Sequence, residues 1–187
     1  MEKRRIMIVD DDKNILESLS RVLRDPSYEL MLCDSAMDAW NIITHEEKPI
    51  DILISDNKMP EVDGVDLLVA VRKKYPNTIR IMLTGHSNLA DAQAAINHGE
   101  VYKFLTKPCD PEDLKLIVKH ALAHRDLWTE NRRLLDKVKE QEQVLANLEE
   151  EHPGITTITK DESGSIVINE TRYYESFDEF MKRYFKK

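Results

Sequence analysis

Side chains that could carry out chemistry follow four short apolar segments of this 187-residue chain. The segments cover residues 6–9, 52–54, 79–83 and 101–105, and the side chains that come after them belong to Asp10, Asp11, Asp12, Asp56, Thr84, Lys107 and Pro108. The carboxyl ends of parallel strands meet at one edge of a sheet, which is where open parallel sheets bind ligands. If the segments are such strands, these side chains lie together.

The carboxylates in this set predict a metal site and phosphoryl-transfer chemistry. Carboxylates held close together repel one another, which raises their pKa values unless a cation joins them. Oxygen ligands suit a hard divalent cation, so the expected cofactor is Mg²⁺ or Mn²⁺. A carboxylate that attacks phosphorus also needs the charge of the incoming phosphoryl group neutralised, which the ion and the ammonium of Lys107 would do.

Apolar segments that alternate with helical patterns predict the fold class. Strands are expected at 5–9, 28–33, 51–55, 79–83 and 101–105, and helices at 13–24, 35–46, 64–74, 87–98 and from 111 onward. Such alternation is typical of an α/β protein with a doubly wound, five-stranded parallel sheet. Asp63 and Gly64 mark the turn into the third helix, and Pro111 suits a first helical turn.

Residues 1–124 resemble a two-component response regulator receiver domain of the CheY-like kind. The resemblance is carried by the motifs IMIVDDD, DILISDNKMPEVDG, RIMLTGH and YKFLTKP in this order. It implies a flavodoxin-like fold and a sensor histidine kinase as the partner that supplies the phosphoryl group. The same segment is also similar to receivers fused to HD-GYP phosphodiesterases, whose catalytic motifs this chain lacks.

The resemblance also implies a role for each site residue. Asp56 is the expected phosphoacceptor, and Thr84 and Lys107 are expected to bind phosphoryl oxygens. The implied metal ligands are Asp11, Asp56, the backbone carbonyl of Lys58 and, through water, Asp10. Asp12 is expected to extend the acidic run or to cap the first helix instead of binding the ion directly.

Two further groups of residues have expected roles in switching and in kinetics. Thr84 and Phe104 form the expected switch pair, although Phe104 could equally be an ordinary half-buried strand residue. Pro108 is expected to fix the turn after Lys107 through a cis peptide bond. Lys58 and His86, each two residues beyond a site residue, flank the path of attacking water and are expected to tune the lifetime of the phosphoryl group.

The last predicted helix continues past the receiver segment as a coiled coil over 125–151. It contains no Gly or Pro from 114 to 150, and a heptad seam runs through Leu127, Asn131, Leu134, Val138, Gln141, Leu145 and Leu148. The spacing predicts a parallel homodimer. The alternatives are a solvated linker helix and a helix that packs back on its own receiver domain.

Residues 152–187 predict a small ββα module that follows the break at His152, Pro153 and Gly154. The segments 155–159 and 165–169 are β-branched, and an amphipathic helix follows Ser176. The module carries no enzyme motif, so we expect a non-enzymatic output through an unknown protein partner. It contains six Lys or Arg and six Asp or Glu residues, which disfavours nucleic-acid binding.

Composition limits the remaining function classes. The net charge of −8 argues against a general nucleic-acid binder. No apolar run is long enough to span a bilayer, so we expect a cytoplasmic protein that does not enter the membrane. The expected function is a phospho-accepting response regulator with no separate enzyme activity. The alternatives are an adaptor or phosphate sink, a DNA-binding transcriptional regulator, and a truncated enzyme.

Overall fold

The computed structural model describes residues 3–85 and 101–152 of the chain. The strands in these ranges are β1 (Arg4–Val9), β2 (Tyr28–Cys33), β3 (Ile52–Asp56), β4 (Ile79–Thr84) and β5 (Lys103–Thr106). The helices are α1 (Lys13–Val22), α2 (Ala36–His45), α3 (Gly64–Lys74) and α4 (Pro111–Glu151). The helix predicted at 87–98 lies outside the described residues, as does the predicted ββα module apart from its first residue.

The five strands form one parallel sheet in the order β2-β1-β3-β4-β5. The predicted doubly wound α/β fold is therefore confirmed. The chain runs from β1 outward to β2 and then returns to pair β3 on the other side of β1. The strand order thus reverses between β1 and β3, and open α/β sheets bind their ligands beside such a switch point.

Alternate strand residues are buried in two separate clusters, one on each face of the sheet. The α2/α3 cluster contains the strand residues Met7, Val9, Leu53 and Met82. The α1/α4 cluster contains the strand residues Ile6, Ile8, Ile52, Ile54, Ile81 and Leu83. All of these side chains are fully buried. A one-residue slip of any strand would exchange its two faces, so burial on both sides fixes the register and hence the positions of the strand ends.

Side chains that accept main-chain hydrogen bonds mark where three helices begin. Asp12 accepts from the N–H of Asn14 at the start of α1, and Ser35 accepts from the N–H of Asp38 in α2. Before α4, the Asp110 carboxylate accepts from the N–H of Glu112. Pro111 is the first residue of α4, as predicted. These caps stabilise helix ends whose N–H groups have no partner within the helix.

The long helix α4 begins in the core and continues far beyond it. Leu114, Val118, Ala121 and Leu122 belong to the α1/α4 cluster, whereas apolar residues from Leu127 onward are exposed. The chain divides into two compact units, Met1–Arg133 and Leu134–Lys187. The described part of the second unit is the end of α4 and His152. Among the described residues, no helix has the length and apolar character needed to cross a membrane.

The buried Asp51 carboxylate anchors α4 to the amino-terminal edge of the sheet. Its Oδ2 atom accepts from the main-chain N–H of Arg5 at 2.7 Å, and its Oδ1 atom lies 2.6 Å from the Arg125 guanidinium. A second ion pair joins Arg4 to Asp126 at 2.7 Å. Both bonds to Asp51 involve groups that are mostly shielded from water, which makes them stronger than exposed pairs.

Asp51→Ala is expected to lower the free energy of unfolding by about 2 kcal/mol, because it leaves Arg125 and the Arg5 N–H without their acceptor. Urea denaturation of the full chain gives this value. The control is Asp34→Ala, which removes an exposed pair with Lys13 at 3.6 Å and should cost less than about 0.5 kcal/mol. Equal losses in the two variants would show that Asp51 is no anchor.

Candidate functional site

The predicted site residues lie at the carboxyl ends of four strands that are neighbours in the sheet. Asp10 directly follows β1, Asp56 and Thr84 end β3 and β4, and Lys107 directly follows β5. A main-chain hydrogen bond of 2.8 Å from the N–H of Lys107 to the carbonyl of Thr84 extends the β4–β5 pairing past the strands. The sheet therefore brings these residues to one edge.

The ammonium of Lys107 bridges two buried carboxylates. Its Nζ atom is 2.6 Å from Oδ2 of Asp10 and also contacts Oδ1 of Asp56. Asp10 is 1% exposed and Asp56 is 7% exposed, so both carboxylates are largely removed from water. Ionic interactions are strong in such surroundings, but the removal of charge from water is unfavourable. Two carboxylates and one ammonium leave this part of the site with a net negative charge.

The pKa values of Asp10 and Lys107 reflect this incomplete compensation. Burial raises the pKa of the Asp10 carboxyl, and hydrogen bonds from Lys107 and the Asp12 N–H oppose this only in part. Burial works against the charged form of Lys107 as well, but the hydrogen bonds and charges of Asp10 and Asp56 outweigh it and raise the pKa of Lys107. The ionic contacts thus favour the charged form of Lys107, whereas burial disfavours the charged form of Asp10.

The chemistry of these groups fits a hard divalent cation. Asp10 and Asp56 present buried carboxylate oxygens, and Mg²⁺ is often bound through one or two carboxylates while it keeps several waters. Within residues 3–85 and 101–152, no three Asp, Glu, His or Cys side chains are arranged to hold a metal by themselves. Asp11, the residue after Asp10, is exposed to solvent. Its predicted role as a direct ligand stays a prediction.

Asp12 caps α1, which confirms the second of the two roles expected for it. Its Oδ1 atom accepts from the main-chain N–H of Asn14 at 2.8 Å and from the Asn14 side chain at 3.0 Å. Its own N–H donates to Oδ1 of Asp10 at 3.1 Å. Asp12 therefore fixes the loop that follows β1 and helps to orient the Asp10 carboxylate.

Lys58 contacts Asp56 through its main chain, whereas its side chain points elsewhere. The N–H of Lys58 donates to Oδ2 of Asp56 at 2.8 Å, so Lys58 and Lys107 hold opposite oxygens of this carboxylate. The Lys58 ammonium lies 3.0 Å from Oδ2 of Asp63, the residue before α3. A contact of this ammonium with a phosphoryl oxygen would require it to leave Asp63. His86, the other predicted tuning residue, lies outside the described residues.

Thr84 and Phe104, the predicted switch pair, both lie on the α2/α3 side of the sheet. Thr84 is fully buried and its hydroxyl donates to the carbonyl of Gly85 at 3.2 Å. Phe104 is half-buried against the α2/α3 cluster. This packing suits a switch residue and an ordinary strand residue equally. The Lys107–Pro108 peptide bond is cis, as expected.

Two residues lie at this site although the sequence did not predict them to belong to it. Asn57 is 1% exposed, and in the part of the chain that the structure describes neither polar atom of its side-chain amide has a hydrogen-bond partner. A Cβ atom on Gly64 would lie 1.7 Å from the carbonyl oxygen of Asp56, so α3 starts in direct contact with the end of β3. Asn57 could have been found from the sequence because it is a polar residue directly after the buried strand β3. Gly64, in contrast, is recognisable in the sequence only as part of a turn.

Comparisons with known proteins agree with this geometry. Residues 6–119, more than half of the chain, match the family model of the response regulator receiver domain. The transcriptional regulatory protein GlrR of Escherichia coli is 33% identical over 127 residues, which are 68% of this chain and 28% of GlrR. The hydrogenase transcriptional regulatory protein HoxA of Bradyrhizobium diazoefficiens is 33% identical over 117 residues, which are 63% of this chain and 24% of HoxA. The chain thus spans about a quarter of the length of these relatives.

Solved structures show the same likeness. The signal receiver domain of an HD domain-containing protein from Pseudomonas fluorescens is 35% identical with a TM-score of 0.64, over 70% of this chain and 94% of that one. A structure described as adenylate cyclase from Rhodopirellula baltica is 34% identical with a TM-score of 0.68, over 72% of this chain and 98% of that one. The resemblance inferred from the motifs is confirmed.

Gly64→Ala is expected to lower the free energy of unfolding by about 3 kcal/mol, because the added methyl group collides with the Asp56 carbonyl and must displace α3. Helix propensity alone predicts the opposite, a gain of about 1 kcal/mol. Denaturant unfolding distinguishes the two signs. Asp66→Ala, an exposed change in the same helical turn, serves as the control. A stabilised Gly64→Ala variant would disprove the close contact.

Proposed function

Since the chain belongs to the response regulator receiver domain family, we propose that it accepts a phosphoryl group on Asp56 from a phosphohistidine of a sensor histidine kinase. The observation that carries this proposal is the buried bridge from Lys107 to Asp10 and Asp56. It holds a carboxylate nucleophile and a cation together at the switch point of the sheet.

Transfer to Asp56 would be an in-line displacement at phosphorus. A carboxylate oxygen of Asp56 forms the new O–P bond while the N–P bond to the kinase histidine breaks, and the bonding electrons return to the imidazole nitrogen. The Lys58 N–H orients the carboxylate, and Lys107 offers a cation to the phosphoryl oxygens. Asp10, Asp11, Asp56 and the Lys58 carbonyl would hold Mg²⁺ or Mn²⁺, which supplies further positive charge to those oxygens.

The phosphorylated state would be sensed by Thr84 and Phe104. Within the described residues, the Thr84 hydroxyl makes one long, local hydrogen bond, so it can turn toward a phosphoryl oxygen without the loss of a strong contact there. Lys58 is proposed to give up its ion pair with Asp63, to contact a phosphoryl oxygen and thereby to slow hydrolysis. His86 is proposed to flank the path of the attacking water. The chain would gain and lose its phosphoryl group as a cytoplasmic switch without a separate enzyme activity.

The output is proposed to run through a dimeric α4 and the C-terminal module, which would bind another protein. A second candidate is transcriptional regulation, because GlrR and HoxA are named as transcriptional regulators. The match covers only about a quarter of each relative, and the balanced charge of residues 152–187 offers no basic surface. An adaptor or phosphate sink agrees with the same observations, and co-purification of partners with and without residues 153–187 separates these outputs.

Asp56→Asn is expected to abolish labelling by radioactive acetyl phosphate in the presence of Mg²⁺, because an amide is a poor nucleophile and carries no charge. Asp136→Asn makes the same chemical change at an exposed position of α4 and should label like the original chain. Chelation of divalent cations should stop labelling, and added Mn²⁺ should restore it. Undiminished labelling of Asp56→Asn would remove Asp56 as the acceptor.

The exposed stripe on α4 supports the proposed parallel homodimer. In the single chain, seam residues Leu127, Leu134, Val138 and Leu145 are 73%, 50%, 48% and 52% exposed. Trp128 and Leu135, at the neighbouring heptad position, are also exposed and widen the stripe. In a solvated linker, apolar residues at alternate spacings of four and three would stay exposed to water. The α4 helix of a second copy of the chain would bury them. The exposed Asn131 would favour a two-stranded pairing in register.

Leu134→Asp combined with Val138→Asp is expected to convert the dimer to a folded monomer, because the seam would then contain like charges. Gln143→Asp with Asn147→Asp has the same spacing on the outer positions of the heptad and should stay dimeric. Light scattering gives the mass of each variant, and circular dichroism checks the helix. An unchanged dimer in the seam variant would place the interface elsewhere.

A further inference from the structure

The side-chain amide of Asn57 is a buried polar group without a partner beside the proposed phosphoacceptor. It is 1% exposed, and its Nδ2 and Oδ1 atoms have no hydrogen-bond partner among residues 3–85 and 101–152. An amide can donate two hydrogen bonds and accept two, and nearly all buried side chains of this kind make at least one. The unfolded chain would hydrate this amide, so its burial without a partner opposes folding. A specific reason for its presence is therefore required.

The main chain of Asn57 is tied to two neighbouring elements. Its N–H donates to the carbonyl of Leu83 at 2.8 Å, and its carbonyl accepts from the N–H of Gly64 at 3.0 Å. These bonds tie the residue to the end of β4 on one side and to the start of α3 on the other. Because the amide is buried, its partner would be a neighbouring group inside the protein.

A group at the neighbouring strand end that can change its hydrogen bond is the hydroxyl of Thr84. Asp56 pairs with Leu83 in the register of β3 and β4, and one further step along each chain places Asn57 beside Thr84. The alternation of β4 puts Thr84 on the α2/α3 face with Met82, and continuation of the β3 pattern by one residue would put Asn57 on the same face as Leu53. Among the described residues, the Thr84 hydroxyl donates to the adjacent Gly85 carbonyl, at 3.2 Å.

We propose that Asn57 is a positioning residue, whose Nδ2–H donates to Oγ1 of Thr84 when the Thr84 hydroxyl donates to a phosphoryl oxygen on Asp56. The inference rests on the proposed function. A hydroxyl can donate one hydrogen bond and accept others at the same time, so the two bonds do not compete. The amide then lacks a partner before phosphorylation and has one after it. Asn57 thereby favours the phosphorylated arrangement of Thr84.

This arrangement predicts opposite effects of one substitution on the two states. Asn57→Leu removes a polar group without a partner from the free protein, so the free protein should melt at a higher temperature than the original chain. The same change removes a hydrogen bond from the state with a phosphoryl group. Its affinity for beryllofluoride with Mg²⁺, a mimic of that group, should fall about fivefold, which corresponds to about 1 kcal/mol.

The test uses the full chain and calorimetric titration with beryllofluoride and Mg²⁺, with melting curves recorded for each variant. The set comprises Asn57→Leu, Thr84→Ala, the double variant, and Asn57→Ala in case leucine does not fit. In the Thr84→Ala background, the substitution of Asn57 should no longer change the affinity, because the acceptor of the bond is gone.

Three results would overturn the inference in ways that can be told apart. A lower melting temperature with unchanged affinity would show a structural amide held by buried water. Additive effects of the two substitutions would show that Asn57 does not act through Thr84. A complete lack of beryllofluoride binding by the original chain would remove the proposed function, and the role of Asn57 with it.

Discussion

The contact of the Lys107 ammonium with the carboxylates of Asp10 and Asp56 joins the ends of β1, β3 and β5. Two neighbouring carboxylates removed from water are unfavourable unless positive charge accompanies them. Lys107 supplies part of that charge, since one ammonium faces two carboxylates, and burial raises the pKa of Asp10 despite its hydrogen bonds. The site is consequently attractive to a further cation. A receiver needs this property, since an incoming phosphoryl group adds negative charge that a divalent ion must offset.

The fold and the convergence of the site could be predicted from the sequence because both depend on strand ends. Buried parallel strands are recognisable as short apolar runs, and the polar residues that follow them must meet at one edge of the sheet. Asp10, Asp56, Thr84 and Lys107 lie at this edge, as their positions after the apolar runs predict. Burial on both faces of β1, β3 and β4 sets the register of these strands, so the positions of their ends follow from the apolar pattern.

Other features depend on neighbours that are distant in sequence and could not be predicted from it. The Asp51 carboxylate meets Arg125 across more than seventy positions of the chain, and nothing in the local pattern of either residue indicates the pair. Lys58 lies at the predicted position, yet the nearby Asp63 carboxylate draws its ammonium toward α3. Gly64 was identified as a turn residue, but its function in packing follows only from its distance to the Asp56 carbonyl.

In the proposed function, the two faces of the sheet separate switching from dimerisation. Thr84 and Phe104 belong to the α2/α3 side, whereas the first turns of α4 pack on the opposite face with Ile81 and Leu83. The Asp51 anchor holds the same part of α4 to the far edge of the sheet. A proposed rearrangement of Thr84 would act on the α2/α3 side, away from the core contacts of α4. Under the proposed function, a dimer built on the α4 seam would thus be compatible with both states of Asp56, and phosphorylation would alter the surface that such a dimer presents.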